Sequence, residues 1–266
     1  MWILRIVVYS ALIYGGVRYF EWKNIYYPTK EIKSNPGDYG LGYEDVVLVT
    51  EDDARLHGWW IPHSDARGSI IMFHGNAGNI GGRAWLAPDL HNLGLNVLMF
   101  DYRGYGRSEG LPSERGTYRD ARAAYEYVRV KHGNAEDPPI VLYGRSLGGA
   151  IATQCAVDKP VRGLILESTF ASVPAMAREM YPGLPLHKIC GFKYDTLEKI
   201  GRIDAPLLIS ASENDTLVPS AQGREIFEAA EDPKIWCYLT GEHNESGWQN
   251  NAEYWRVFRT FIDENI

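Results

Sequence analysis

The segment PIVLYGRSLGGAIATQCAV, residues 139–157, places a GxSxG motif between two runs of different hydrophobic pattern. The compact apolar run at residues 139–143 predicts a buried strand, and the run after Ser146 predicts a helix. A serine on the sharp turn between a strand and a helix needs small neighbours, which Gly144 and Gly148 provide. We therefore predict that the Ser146 hydroxyl points into a cleft as a nucleophile.

Short apolar runs alternate with longer amphipathic runs on both sides of this segment. EDVVLVT and RLHGWWIP form an early pair typical of an antiparallel hairpin, and six compact runs follow: SIIMFHG, NVLMFDY, PIVLYG, RGLILES, PLLISAS and KIWCYLT. Apolar runs with turn residues on their flanks are typical of strands that are buried on both faces. The pattern predicts an α/β fold, in which helices flank a mostly parallel central sheet.

The chain divides into three predicted parts. We predict a catalytic domain at residues 43–266, preceded by a connector at residues 23–42 and by a distinct N-terminal segment at residues 1–22. Within the catalytic domain, residues 170–199 break the alternation of strands and helices with three prolines. This region is interpreted either as a small cap over the cleft or as an irregular crossover with no role in binding.

The N-terminal segment differs from the rest of the chain because it is largely apolar. Residues 6–17, IVVYSALIYGGV, carry no charge, and a helix over residues 2–22 would be about 32 Å long, close to the thickness of a bilayer's hydrocarbon core. Arg5 and Arg18 would reach for the two interfaces. We predict a transmembrane or membrane-associated anchor, with its orientation open. A cleaved signal peptide and a helix packed on the domain surface are the alternatives.

The charge balance and the cysteines exclude several classes of protein. Acidic residues outnumber basic ones by 34 to 27, and the formal net charge is −7, which argues against nucleic acid as a partner. Cys155, Cys190 and Cys237 are widely spaced and suggest neither a disulfide framework nor a metal site. We interpret Cys155 as a small buried side chain on a helix, and we predict no metal and no cofactor. The oligomeric state is not indicated.

A serine hydroxyl becomes a good nucleophile only when a base takes its proton as it attacks. His243, in TGEHNE, follows the last predicted strand and precedes the final predicted helix, so it falls at the same sheet edge as Ser146. We predict that His243 is this base. His74 ends a strand inside HGNAGN and is interpreted as a structural support for the turn at Gly75. The other histidines fall in predicted surface turns, helices or the irregular region: His57, His63, His91, His132 and His187.

The base requires an acid that fixes its tautomer and stabilises the imidazolium. Asp215, in SENDTLVP, follows the strand before the one that leads to His243, and serine, aspartate and histidine then occur in the order found in enzymes with this motif. We predict that Asp215 is the acid. The alternatives are Glu213, more typical of a solvated loop charge, and Glu167 at the end of GLILE, more typical of a carboxyl group hydrogen-bonded at the floor of the cleft.

Two backbone N–H groups are candidates for an oxyanion hole. Leu147 directly follows the nucleophile, and Asn76 lies in FHGNAGN, after the predicted strand SIIMF. Glycine neighbours allow backbone N–H groups to approach a substrate closely, although glycine-rich loops are often simple turns. One donor normally comes from each of these two places, so we predict that the N–H groups of Asn76 and Leu147 stabilise the oxyanion.

Together, these motifs resemble the BEM46-like group of α/β-hydrolases. FHGNAGN, DYRGYGRSEG, YGRSLGGA, ENDTLVP and GEHN occur in that order across residues 40–266, and the apolar N-terminus also fits the group. The resemblance implies the α/β-hydrolase fold and the activity of membrane-anchored serine hydrolases, which include protein depalmitoylases. It also implies that DYRGYGRSEG is a strand followed by a loop near the site. From the residues alone, the glycines of this segment indicate a tight turn, and Asp101 and Arg103 could pair.

These residues predict an enzyme that hydrolyses carboxylic esters or thioesters through an acyl-serine intermediate, with acyl chains near a membrane as its substrates. The alternative from another class is a membrane-tethered binding or scaffold protein that keeps the fold without turnover. The complete set of serine, aspartate and histidine speaks against that alternative. A dehalogenase is disfavoured because that chemistry uses a carboxylate where Ser146 stands, whereas a peptidase stays open. The resemblance implies no particular substrate, since the N-terminus has no cysteine-rich acylation site of the depalmitoylase kind.

Overall fold

An eight-stranded sheet is the centre of the computed structural model, which describes residues 2–244 and 251–266. Met1 and residues 245–250, which the predicted segments 1–22 and 43–266 include, lie outside the described residues. The strands are β1 (Tyr27–Pro28), β2 (Glu44–Val49), β3 (Arg55–Ile61), β4 (Gly68–Phe73), β5 (Ala77–Gly78), β6 (Leu95–Phe100), β7 (Ile140–Arg145), β8 (Gly163–Glu167), β9 (Leu207–Ser212) and β10 (Lys234–Leu239). The large sheet has the spatial order β10-β9-β8-β7-β4-β6-β3-β2, and β1 pairs with β5 separately.

Most of this sheet is parallel, as the apolar runs predicted. The strands from β10 to β6 in the spatial order pair in parallel, while β3 pairs antiparallel with both β6 and β2. Every residue of β4 is buried: Ile71 and Phe73 belong to the core on one face, and Ile70 and Met72 to the core on the other. Burial on both faces explains an uninterrupted apolar run in place of alternation. The predicted α/β fold is confirmed.

Helices cover both faces of the sheet. They are α1 (Trp2–Ile25), α2 (Ala87–His91), α3 (Glu114–Lys131), α4 (Leu147–Asp158), α5 (Val173–Met180), α6 (Leu186–Ile189), α7 (Thr196–Ile200), α8 (Ser220–Ala229) and α9 (Ala252–Asn265), with 3₁₀ turns at Pro36–Tyr39 and Ile80–Leu86. The core on one face contains side chains of α3, α4, α7 and α8, and the core on the other contains side chains of α2 and α9. Cys155 is buried on α4, as predicted.

The parallel strands all end at one edge of the sheet. The predicted site residues lie in the loops at this edge. Asn76, Ser146, Asp215 and His243 follow β4, β7, β9 and β10, respectively. Residues 170–199 connect β8 to β9 and contain α5, α6 and most of α7. The loops that follow the strands therefore bring residues far apart in the chain to one place, because the carboxyl ends of parallel strands share an edge.

The apolar N-terminal segment forms helix α1, which begins at Trp2 and ends at Ile25. Across residues 2–244 and 251–266, no helix is long and apolar enough to cross a membrane. The prediction of a transmembrane anchor at residues 2–22 is therefore not supported. Arg5 and Arg18 are the physical reason: the uncharged stretch between them, residues 6–17, is about 18 Å long as a helix, against about 30 Å of hydrocarbon in a bilayer.

Arg103 pairs with two carboxylates other than the expected Asp101. Its guanidinium donates to Asp120 at 2.8 Å and to both oxygens of Asp52 at 3.0 Å. Burial raises the pKa of Asp120 to about 6 even with this partner. Asp101 instead accepts a hydrogen bond from the backbone N–H of Ile80 at 2.9 Å. The expected pair was wrong because the loop after β6 directs Arg103 toward α3, which carries Asp120.

Replacing Arg103 with methionine should lower the free energy of unfolding by about 3 kcal/mol, because the buried Asp120 loses its cationic partner. Arg107→Met is the matched control. Arg107 lies in the same loop, is well exposed and is 3.7 Å from Asp45, and exposed ion pairs contribute little. Chemical denaturation of the two variants measures the difference. Equal losses of stability in both variants would contradict this account of Arg103.

Candidate active site

Ser146 lies on the turn between β7 and α4, as the GxSxG motif predicted. Its backbone has φ 53° and ψ −121°, a conformation that strains any residue with a side chain. Close packing holds the turn: a Cβ atom at position 148 would lie 2.0 Å from the Phe73 carbonyl oxygen, and one at position 144 would lie 2.6 Å from the Gly148 carbonyl oxygen. Glycine is therefore required at both positions of the motif.

The side chains of Ser146, His243 and Asp215 form a continuous hydrogen-bonded chain. His243 Nε2 is 3.1 Å from Ser146 Oγ, and His243 Nδ1 is 2.6 Å from Asp215 Oδ2. The other carboxylate oxygen of Asp215 accepts hydrogen bonds from the backbone N–H groups of Leu217 at 2.9 Å and Val218 at 2.8 Å. When Nδ1 donates its proton to Asp215, Nε2 is left as the acceptor for the serine hydroxyl. The structure thus brings the three predicted residues together.

The two alternative acids lie elsewhere. Glu213 is exposed. The carboxylate of Glu167 is fully buried and accepts hydrogen bonds from the hydroxyls of Tyr143 at 2.6 Å and Tyr254 at 2.8 Å. Burial raises the pKa of both tyrosines well above the usual value, so both remain neutral donors. Glu167 is hydrogen-bonded at the floor of the site, in agreement with its interpretation from the sequence.

Arg145 connects this buried carboxylate to the loop that carries the histidine. Its guanidinium is 2.9 Å from Glu167 and also donates a hydrogen bond to the backbone carbonyl of His243. Arg145 and Glu167 are register partners on the neighbouring strands β7 and β8. Arg145, the residue before the serine in the GxSxG motif, therefore lies beside the last residue of β8. Sequence reasoning missed Arg145, Tyr143 and Tyr254. The available signal was an arginine inside the motif and a glutamate at the end of the following predicted strand.

Asn76 and Leu147, the predicted oxyanion donors, line the same cavity as Ser146. Leu147 is the first residue of α4. The loop that carries Asn76 is held through its carbonyl oxygen, which accepts hydrogen bonds from the backbone N–H of Tyr27 at 3.0 Å and from the Tyr105 hydroxyl at 2.8 Å. Both residues lie beside the nucleophile, and their role in catalysis stays a prediction.

His74 contacts the turn that precedes Asn76, in agreement with its interpretation from the sequence as a structural support for that turn. The side chain is fully buried, and its Nδ1 atom is 2.7 Å from the Gly75 carbonyl oxygen. Burial lowers the pKa of His74, which favours the neutral ring. A Cβ atom at position 75 would lie 3.5 Å from the Ser146 Cβ, so this turn packs against the nucleophile. His74 therefore contacts the backbone of the turn that packs against Ser146.

An apolar cavity of about 310 Å³ reaches Ser146. Its walls come from the end of α1, from the loops that follow the strands, and from the region 170–199, which contributes Phe170, Val173, Met176, Met180, Tyr181 and Ile189 among others. At roughly 30 Å³ for a group the size of a water molecule, the cavity holds far more than an acetyl group. Within residues 2–244 and 251–266, no group of three or more His, Cys, Asp or Glu side chains is placed to hold a metal ion.

A strained serine after a central parallel strand, reached by an acid and a histidine that follow it in the chain, defines an α/β-hydrolase. More particularly, the chain belongs to the BEM46-like family of these proteins. It is 31% identical over 272 residues to the protein bem46 of Schizosaccharomyces pombe, with 96% of this chain and 90% of that protein covered. It is also 31% identical over 237 residues to the membrane protein YNL320W of Saccharomyces cerevisiae, with 86% and 82% covered.

Two further comparisons concern the hydrolase fold. The family model described as serine aminopeptidase S33 matches residues 64–189. The solved structure of the Pyrococcus furiosus esterase Pf2001 has a TM-score of 0.76 at 20% identity, and the match covers 91% of this chain and 98% of that one. At this identity the likeness shows the fold alone. Fold and family together support a hydrolase.

Asp215→Asn should slow the reaction of Ser146 with a fluorophosphonate by several orders of magnitude, up to ~10⁴, because an amide favours the wrong tautomer of the histidine. Glu213→Gln is the matched control and should react at nearly the wild-type rate, since Glu213 is exposed. Fluorophosphonates label an activated serine whatever the natural substrate. Comparable losses in the two variants would place the acid elsewhere.

Proposed function

We propose that this protein is a serine hydrolase that cleaves carboxylic esters or thioesters through an acyl-serine intermediate. The observation that carries the proposal is the hydrogen-bonded chain from Ser146 through His243 to Asp215 at the end of an apolar cavity. The chain provides a nucleophile with its base and acid, and the cavity provides a place for the apolar part of an acyl group.

In the proposed acylation step, Ser146 Oγ attacks the carbonyl carbon of the substrate while His243 Nε2 takes the serine proton. The negative charge that develops on the carbonyl oxygen is stabilised by the backbone N–H groups of Asn76 and Leu147. Asp215 holds the imidazolium in place. The tetrahedral intermediate then collapses: the bond to the alcohol oxygen or thiol sulfur breaks, and His243 gives its proton to that leaving group.

Deacylation repeats these movements with water as the nucleophile. His243 Nε2 takes a proton from the water as its oxygen attacks the acyl carbon, and the same two N–H groups stabilise the second oxyanion. When this intermediate collapses, the bond to Ser146 Oγ breaks and His243 returns the proton to the serine. The products are a free carboxylic acid and the original enzyme.

The lining of the cavity favours an acyl substrate over a peptide. An aminopeptidase needs a carboxylate that is free to bind the substrate's ammonium group. Glu21, the acidic residue among the described lining, pairs instead with Arg18 at 2.7 Å and accepts a hydrogen bond from the Gly191 backbone N–H at 2.8 Å. Burying an ammonium group among apolar side chains without a partner is unfavourable, so the peptidase alternative has less support.

Ser146→Ala should abolish fluorophosphonate labelling and lower the hydrolysis of p-nitrophenyl butyrate by several orders of magnitude, because binding alone contributes little without the nucleophile. Ser168→Ala is the matched control: Ser168 is also buried and also has a positive φ, 46°, but it should retain activity. A folded Ser146→Ala variant with near-wild-type turnover would refute the mechanism. A wild-type protein that neither reacts nor hydrolyses any ester would favour the scaffold alternative.

We infer that the exposed half of α1 associates with a membrane surface. Eight of its described large apolar or aromatic side chains are between 53% and 71% exposed: Trp2, Ile6, Val7, Tyr9, Leu12, Ile13, Tyr14 and Tyr19. Exposed apolar patches mark sites of contact with proteins or membranes. A relative in Saccharomyces cerevisiae is named a membrane protein, which supports a lipid surface as the partner. Contact of this end of α1 with a membrane surface would remove apolar side chains from water.

Leu12→Glu combined with Ile13→Glu should reduce the fraction of full-length protein that sediments with phosphatidylcholine vesicles, because carboxylates resist transfer into an apolar phase. Val47→Glu is the control, since Val47 is also half-exposed but lies on β2. Equal sedimentation of the two variants, or wild-type protein that stays in the supernatant, would contradict the proposed association of α1 with a membrane surface.

A further inference from the structure

The end of α1 forms one wall of the cavity that reaches Ser146. Val17, Phe20 and Ile25 line it on this side. Residues 170–199 line another part of it, with Met176, Met180 and Ile189 among them. An anchor that only tethers the protein would not contribute side chains to the site. The last turns of α1 therefore belong to the substrate cavity as well as to the N-terminal segment.

A pair of charged residues attaches this wall to the region 170–199. Arg18 donates a hydrogen bond to the Ile189 carbonyl at 2.6 Å, and Glu21 accepts hydrogen bonds from the backbone N–H groups of Gly191 at 2.8 Å and Phe192 at 3.2 Å. Arg18 and Glu21 also pair with each other at 2.7 Å. The helix therefore binds the backbone at the end of α6 and in the residues that follow it. These hydrogen bonds involve charged side chains and are stronger than bonds between neutral groups.

Other contacts join α1 to its surroundings at two further places. The Tyr181 hydroxyl is 3.3 Å from Asn24 Oδ1, which connects the helix to the end of α5. The Trp22 indole N–H donates to the Pro112 carbonyl at 2.8 Å, which connects the helix to the loop before α3. Contacts with both the region 170–199 and the loop before α3 hold α1 in one position. The side chains of α1 that line the cavity therefore define a fixed part of it.

The rim of this cavity is apolar and open to solvent. Phe20, Met180, Ile189 and Leu217 line the cavity and are also between 40% and 52% exposed. Of these four, Phe20 lies on α1, the helix whose N-terminal half carries exposed apolar side chains. The rim therefore offers an acyl chain an apolar entry to the cavity, next to the Arg18–Glu21 pair that joins α1 to residues 170–199.

We propose that α1 and residues 170–199 together form an acyl-chain site, in which Val17 and Phe20 determine the chain length that the enzyme accepts. This inference rests on the proposed serine hydrolase function. The substrate class is an ester or thioester of a medium or long acyl chain. The Arg18–Glu21 pair is a positioning device, because it holds the two walls together and does not touch the reacting carbonyl group.

The test compares the full-length protein with Val17→Trp on p-nitrophenyl acetate, octanoate and palmitate in detergent micelles. An indole at position 17 fills the cavity from the α1 side, so kcat/KM for palmitate should fall at least about tenfold, the effect of excluding roughly two methylene groups from burial. The value for acetate should fall far less than the value for palmitate, because an acetyl group occupies little of the cavity. Val8→Trp is the matched control, since Val8 lies on the same helix but is exposed and outside the cavity, and it should leave all three values unchanged.

A second pair of variants tests the attachment of the walls. Glu21→Ala removes the acceptor for the two backbone N–H groups and should raise KM for octanoate about fivefold, the effect of losing a hydrogen bond, with a much smaller effect on kcat for acetate. Glu21→Gln keeps an acceptor oxygen and should restore much of the affinity. A purely structural role of Glu21 would instead lower kcat and raise KM by similar factors for every ester.

Fluorophosphonate labelling separates failure of this inference from failure of the proposed function. If labelling persists but Val17→Trp has the same chain-length profile as wild type, α1 is not part of the acyl site and the inference is wrong. A parallel fall for acetate and palmitate in Val17→Trp would also overturn it. If the wild-type protein neither labels nor cleaves any of the esters, the proposed function itself fails.

Discussion

Close packing between the end of β4 and the start of α4 is the constraint on which the site depends. The chain can pass there only because position 148 has no side chain, and Ser146 takes its strained backbone conformation as a consequence. The same contact brings the turn at Gly75 against the nucleophile, and with it the backbone of Asn76. One packing contact thus positions both the serine and a predicted oxyanion donor.

The carboxylates of Asp215 and Glu167 position His243, one through its ring and the other through its main chain. Asp215 acts on the imidazole ring directly and is itself fixed by two backbone N–H groups. Glu167 acts through Arg145, whose guanidinium contacts the backbone of the histidine loop. Because Glu167 is buried and also bound by Tyr143 and Tyr254, its position is well determined. His243 is therefore oriented by its ring and by its main chain, which limits the motion of Nε2 relative to the serine hydroxyl.

The sequence predicted the sheet and the three residues at its edge because both are local signals: a buried strand is a short apolar run, and Ser146, Asp215 and His243 each follow such a run. The partners of Arg103, the role of Arg145 and the wall formed by α1 depend on contacts between distant elements. Arg18 and its acceptor Ile189 are 171 positions apart. Hydropathy identified the segment as apolar but carried no information on the surface against which its final turns pack.

Trapping of the acyl-enzyme tests the central claim most directly. The protein is mixed with excess p-nitrophenyl octanoate, quenched with acid within the first turnovers, digested and examined by mass spectrometry. The account predicts a burst of p-nitrophenol that approaches one equivalent per enzyme, together with an octanoyl group on the peptide that contains Ser146. Hydrolysis without any acylated peptide, or with the octanoyl group on a different residue, would contradict the acyl-serine mechanism.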